Sequence, residues 1–186
     1  MGRRIKYHSI VPCLFFMMVR KEARKMIMTL RIDERLIHGQ VIATWLKSLS
    51  ISHIIVANDA AAKDEVLQKT LKMVLPPEQK CLMKGVEDAV RILCDPRCDD
   101  MRILLVAANP ADAYTLVKSV KGIPEVNLAN YGSITKAKVQ GKVTVSGMVY
   151  LDSEDIEATN ALIGSGIPVF TQKTPSDPKK KLTHIS

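Results

Sequence analysis

The sequence predicts an α/β fold: a doubly wound, mainly parallel sheet with helices on both faces and an active loop at the carboxyl end of the first strand. Three observations carry the prediction. From Met28 onward, short apolar runs alternate with apolar stripes of helical period, the pattern of repeated strand–helix crossovers. Arg102–Ala108 is apolar on both faces, as a central parallel strand covered on each side must be. Charge concentrates in one junction, Arg31-Ile32-Asp33-Glu34-Arg35-Leu36-Ile37-His38-Gly39-Gln40, between the end of a strand and the first turn of a helix.

The elements follow in order. Met28–Ile32 is a short extended run ending in that loop, and Gly39–Leu49 places Val41, Ile42, Trp45, Leu46 and Leu49 on one helical stripe. Ile51–Ala57 is apolar apart from Ser52 and His53, and stops at the polar turn Asn58-Asp59. Val66, Leu67, Thr70, Leu71, Val74 and Leu75 mark a helix terminated by Pro76-Pro77. Lys80–Met83 reads as a short strand, and Val86, Ala89, Val90 and Leu93 form the next helical stripe. After Arg102–Ala108, Asn109 supplies a cap and Pro110 a first helical position for a helix reaching about Lys121. Val126–Ala129 is a strand leading into Asn130-Tyr131-Gly132-Ser133, and Val143–Leu151 is extended. Asp152-Ser153 starts a helix that stops at Gly164-Ser165-Gly166; Pro168–Thr171 closes the sheet, and Pro175–Lys181 reads as a frayed polar tail. In such sheets ligands collect outside the carboxyl ends of the strands, where the strand order reverses. With the first strand central, the Arg31–Gln40 loop lies at that reversal, flanked by the Asn58-Asp59 and Asn109-Pro110 loops.

Composition narrows the classes. At 186 residues, 47% hydrophobic and 25% charged, the chain has the mix of a globular domain, and no apolar run approaches the ~20 residues of a membrane span. The four cysteines lack the density of a disulfide framework, which suits a reducing cytoplasm. Cys94 and Cys98 have no second Cys/His pair for zinc, so no metal is expected, and no glycine-rich nucleotide motif occurs. The net charge of +8 is confined: residues 1–25 hold seven basic and one acidic residue, leaving +2 on the remainder. Charge at one terminus without interleaved aromatics does not imply nucleic acid.

Residues 1–26 form an N-terminal extension to a single domain at 27–186. Arg3, Arg4 and Lys6 before the apolar run Ile10–Val19 imitate a signal peptide, but Arg20-Lys21-Glu22 follows where a cleavage site should stand. A membrane-surface anchor is the second reading. The third, which we expect, is a non-native or disordered segment from an over-extended gene start, with Met26 or Met28 as the first residue.

The charged junction carries the chemistry. A strand–loop–helix turn aims backbone N–H groups at one point, and the helix dipole adds partial positive charge there. Arg35 contributes a planar, multi-donor cation, and His38 is a nucleophile able to carry a phosphoryl group. Arg31, Asp33, Gly39, Gln40 and, across the sheet edge, Asp59 are the supporting candidates. A bland alternative stands beside each: His38 as a helix-start cap, Asp59 as an ordinary cap, Trp45 as core, and His53 as a core or interface residue.

Arg31–Val41, with Trp45 following, resembles the phosphorylation-site segment of IIB subunits of the mannose/fructose/sorbose family of the bacterial phosphotransferase system. The resemblance extends through Val56-Ala57-Asn58-Asp59, Glu125-Val126-Asn127 and Gly166–Val169. It implies a cytoplasmic phosphocarrier, peripherally held at the membrane, that accepts a phosphoryl group from a phosphohistidine IIA partner on His38. The group then passes to a sugar delivered by the membrane IIC/IID permease, without cofactor. It also implies attachment at Nδ1, and a homodimer remains open. Asn127–Gly132 departs from the glycine-richer loop of the family. Two rival readings are a histidine phosphatase, although Ile37 rather than arginine precedes His38, and an anion-binding module in which His38 never turns over.

Overall fold

The computed structural model describes residues 27–134 and 141–186, the side chains of Gln40 and Val41 excepted. The extension at 1–26 therefore lies outside the described residues. In chain order the elements are β1 (Ile27–Asp33), α1 (Gly39–Ser48), β2 (His53–Ala57), α2 (Asp59–Lys63), α3 (Glu65–Met73), β3 (Lys80–Lys84), α4 (Val86–Leu93), β4 (Ile103–Ala107), α5 (Pro110–Ser119), β5 (Val126–Asn130), β6 (Val143–Ser146), β7 (Val149–Leu151), α6 (Ser153–Gly164), β8 (Val169–Thr171) and β9 (Lys180–Lys181).

The main sheet runs β3-β2-β4-β1-β5-β8-β9 and is parallel except for β9. Alternation along the strands feeds two cores. Ile55, Ala57, Ile103, Leu105 and Ala107 pack with α4, α5 and α6 on one face, through residues such as Ala89, Leu116 and Leu162. Ile54, Val56, Leu104 and Val106 pack with Ile42, Leu46 and Leu71 of α1 and α3 on the other. Every residue of β4, and of β2 after His53, is thus buried whichever way it points, which is why these central strands read as continuous apolar runs.

β1 is the exception, and it positions the site. Its pairing with β4 shifts register between Ile27 and Thr29. Beyond that irregularity Leu30 and Ile32 face the α4–α6 core, while the polar Thr29, Arg31 and Asp33 are buried on alternate positions. The chain leaves β1 toward β2 on one side and leaves β5 toward β8 on the other. The order therefore reverses between β1 and β5, and the loop after β1 opens there.

Two expectations are corrected. Val143–Leu151 is not one strand but the β6–β7 hairpin, turning at Gly147-Met148 and forming its own two-stranded sheet. Residues 175–181 are not a frayed tail. Asp177 accepts from Thr174 N at 2.8 Å, Lys179 pairs with Glu125 at 2.6 Å, and β9 adds antiparallel to β8. Leu182 and Ile185 then pack on the core, which makes the return worthwhile. A short helix, α2, also occupies the segment just after Asn58, whose side chain caps it at 2.8 Å.

Candidate functional site

Loop 33–38 is shaped by where its side chains must go. Asp33 O accepts from Leu36 N at 2.9 Å, closing a turn, and Leu36 takes φ +60°, left-handed for a residue with a Cβ. Leu36 and Ile37 nevertheless dip into the α1–α3 core, 6% and 2% exposed, so apolar burial offsets the strain. With those two inward, Arg35 is exposed and His38 half-buried on the outer side.

His38 occupies the N-cap position of α1, in extended backbone, but makes no side-chain capping bond. Its imidazole is not spent on the helix, and α1 has no acidic residue in its first turn to compete with an anion. Gly39 follows at φ +29°, a conformation that L side chains rarely adopt.

Behind the histidine lies a buried polar network. Asp33 accepts from Arg31 Nε at 3.2 Å and Nη2 at 2.8 Å, from Arg35 N at 3.1 Å and from Asn130 Nδ2 at 3.1 Å. His38 Nδ1 lies 3.7 Å from Asp33 Oδ2, too far for a hydrogen bond, and is a buried atom without a partner. Arg31 stacks 5.6 Å from the Trp45 ring centroid. Both Arg31 Nη1 and Trp45 Nε1 donate to Lys173 O, at 3.4 and 3.1 Å. That shared carbonyl ties the segment after β8 to the floor of the site.

The electrostatics follow from these positions. Burial lowers the His38 pKa below its ordinary value; Asp33 pulls it upward, and Arg31 and Arg35 push it down again. The ring is therefore neutral at physiological pH, the form that carries a nucleophilic lone pair. Burial likewise lowers the Arg31 pKa while Asp33 raises it, and a guanidinium stays charged regardless.

The structure thus gathers Arg31, Asp33, Arg35, His38 and Gly39 in one place, but in unequal roles. Arg31 is 1% exposed and committed to Asp33 and Trp45, so it supports the loop from beneath. The Gln40 side chain lies outside the described residues. Asp59 does not join them: β4 stands between β2 and β1, and Asp59 Oδ1 accepts from Val86 N at 2.9 Å, capping α4. His53 opens β2 at the opposite edge of the sheet, with Nδ1 2.8 Å from Ser52 Oγ. Among the described residues no group of His, Cys, Asp and Glu could hold a metal ion, and Cys98 is buried while Cys94 is exposed. Sequence reading missed Asn130 and the Lys173 carbonyl, whose signals are only a polar residue ending a strand and a backbone atom.

Fold and loop define an α/β domain built around a histidine–arginine loop at the carboxyl edge of a parallel sheet. The family of sorbose-subfamily IIB components of the phosphotransferase system matches residues 27–185. A probable phosphotransferase enzyme IIB component of Streptococcus pyogenes is 38% identical over 161 residues, 86% of this chain and 99% of the relative. The mannose-specific EIIAB component of Escherichia coli is 37% identical over 155 residues, 83% of this chain but 46% of that longer protein. The crystal structure of the IIBSor domain of the sorbose permease from Klebsiella pneumoniae superposes with a TM-score of 0.74 at 33% identity, covering 82% of this chain and 91% of that one. The chain belongs to the IIB components of the mannose/sorbose family, phosphocarriers of a sugar phosphotransferase system. Components of this kind work with IIA and IIC/IID partners.

Proposed function

We propose that His38 is the phosphoacceptor, taking the phosphoryl group from a phosphohistidine on a IIA protein and passing it to a sugar held by a membrane IIC/IID permease. The observation that carries this is a neutral, half-exposed imidazole at the start of α1, free of capping duty, with exposed Arg35 beside it. In the first step the lone pair of a His38 ring nitrogen forms an N–P bond in line as the donor's N–P bond breaks. The released electron pair returns to the donor imidazole. In the second, a sugar hydroxyl oxygen forms the O–P bond as the His38 N–P bond breaks; the electron pair returns to the His38 ring, and the hydroxyl proton ends on that imidazole. Arg35 and the loop N–H groups hold the equatorial oxygens while charge redistributes.

Orientation of the ring matters. His38 Nδ1 is buried against Asp33, so attachment there requires the ring to turn outward, whereas the present rotamer withholds that nitrogen. A hydrolase reading finds less support. Among the described residues its second histidine would have to come from His53 or His184, and His53 stands at the far edge of the sheet. Acting beside IIC/IID, the domain would work at the cytoplasmic face of the membrane; no described helix is long and apolar enough to cross it.

The test is phosphoryl transfer from phospho-IIA to the chain. His38→Ala should accept none and keep its fold, and His53→Gln should accept at the parental rate. Label appearing on folded His38→Ala refutes the assignment.

A further inference from the structure

We propose that Glu34 is a positioning residue for phosphoryl transfer: its carboxylate locks the His38 loop to the Gly132–Ile134 turn across the crevice between β1 and β5. The proposal rests on the assignment of His38 above.

Glu34 accepts three hydrogen bonds from that turn. Oε2 receives Gly132 N at 3.2 Å, and Oε1 receives Ser133 Oγ at 2.6 Å and Ile134 N at 3.0 Å. Its own backbone N donates to Asn130 O at 2.9 Å. One residue of the loop is thus held by main chain and side chain to the strand end across the crevice.

The receiving side is rigid. Gly132 sits at φ +80°, and a Cβ there would lie 2.0 Å from Tyr150 O, so only glycine fits. Tyr131 N donates to Met148 O at 3.0 Å and Tyr150 N to Tyr131 O at 2.9 Å, fastening the turn to the β6–β7 hairpin. The Tyr131 hydroxyl donates to buried Asp155 at 2.9 Å. The loop side contains left-handed Leu36, anchored below by its own burial, and Glu34 adds the hold from across the crevice.

The arrangement also sorts charge. Asp33 and Glu34 are adjacent carboxylates in a loop that must receive a phosphoryl dianion. Asp33 is neutralised by Arg31, and Glu34 points its charge into two backbone N–H groups and a hydroxyl, leaving Arg35 exposed toward solvent. Two consequences of removing Glu34 therefore have opposite sign. Loss of negative charge near a dianion would speed transfer, while loss of the tether would slow it. A misplacement on the order of 1 Å costs about 100-fold, more than a screened charge returns, so position decides.

The experiment measures single-turnover phosphoryl transfer from phospho-IIA to the full chain, with Asp88→Ala, at an exposed position of α4, as the control. Glu34→Ala should be about 10- to 100-fold slower at saturating donor, with KM for phospho-IIA unchanged. Glu34→Gln should fall between, because one oxygen still accepts from Ser133 and Ile134. Adding Ser133→Ala to Glu34→Ala should cost nothing further, since the two share one tether. Transfer by Glu34→Ala at or above the parental rate, or a loss seen only in melting temperature, overturns the proposal. Should Glu34→Ala fail to fold, Ser133→Ala is read the same way: slower transfer supports the tether and a parental rate refutes it. A parental chain that accepts no phosphoryl group would instead overturn the assignment of His38 and this role with it.

Discussion

Replacing Asp33 by asparagine tests whether the loop is held from beneath by a buried charge pair. Arg31 and Asp33 have side chains 1% and 0% exposed, paired at 2.8 Å. Asparagine keeps an oxygen for Arg35 N and Asn130 Nδ2 but turns an amide N–H₂ toward the guanidinium. The surviving charge of Arg31 is then buried with only Lys173 O and the Trp45 ring to receive it. Breaking one side of a buried pair costs about 3–5 kcal/mol, against the ~1 kcal/mol of an ordinary neutral hydrogen bond. For a domain of this size that corresponds to a fall in melting temperature of roughly 6–20 °C. Asp33→Asn also removes the influence that raises the His38 pKa, so the histidine should titrate at still lower pH in the variant. The assays are thermal unfolding followed by circular dichroism and an NMR titration of the His38 ring. Pairing Asp33→Asn with Arg31→Met should recover most of the lost stability, because the orphaned charge is gone. An Asp33→Asn protein melting within about 2 °C of the parent would refute the reasoning, since less than ~1 kcal/mol would then separate the paired from the unpaired guanidinium.

Arg35→Lys keeps a cation but loses the planar two-point fork, so transfer to His38 should slow by about 10- to 100-fold, roughly 1.4–2.7 kcal/mol of transition-state stabilisation. A parental rate would assign the oxyanion contacts to the loop N–H groups alone. The pH dependence has a definite sign. The folded pKa of His38 lies below the ordinary 6.5, so its contribution to stability is complete above 6.5 and is lost as pH falls from there through the lower folded pKa, because the unfolded chain takes up the proton first. Phosphoryl acceptance should accordingly persist below pH 6.5, and a ring titration midpoint at or above 6.5 would contradict the burial argument. Gly132→Ala drives a Cβ to 2.0 Å from Tyr150 O at φ +80° and should destabilise by at least 1–3 kcal/mol, read by denaturant midpoint; an unchanged midpoint would show that the turn yields freely.

Residues 27–186 disclosed their architecture without coordinates because the signals are local. The apolar period of α1, the Asn109–Pro110 start of α5 and the two-faced run of β4 each depend on residues a few positions apart. The charged junction marked itself for the same reason, with Arg31, Asp33, Arg35 and His38 within eight consecutive residues. Tertiary structure decided what those charges do. Sequence could not sort Arg31, which turns out to be buried against Asp33 and Trp45, from Arg35, which is exposed. That division is set by a register shift in β1 and by partners far along the chain: Asn130 at a separation of 97 residues and Lys173 at 142. Asp59 shows the same limit, because a polar residue at a strand end looks alike whether it faces the site or, as here, the start of α4. The hairpin at residues 143–151 and the return of residues 175–181 onto β8 likewise depend on a surface assembled by distant segments. Short-range pattern specifies each element, but which loop end meets which is settled only when the crossovers place β1 between β4 and β5 and bury what lies between them.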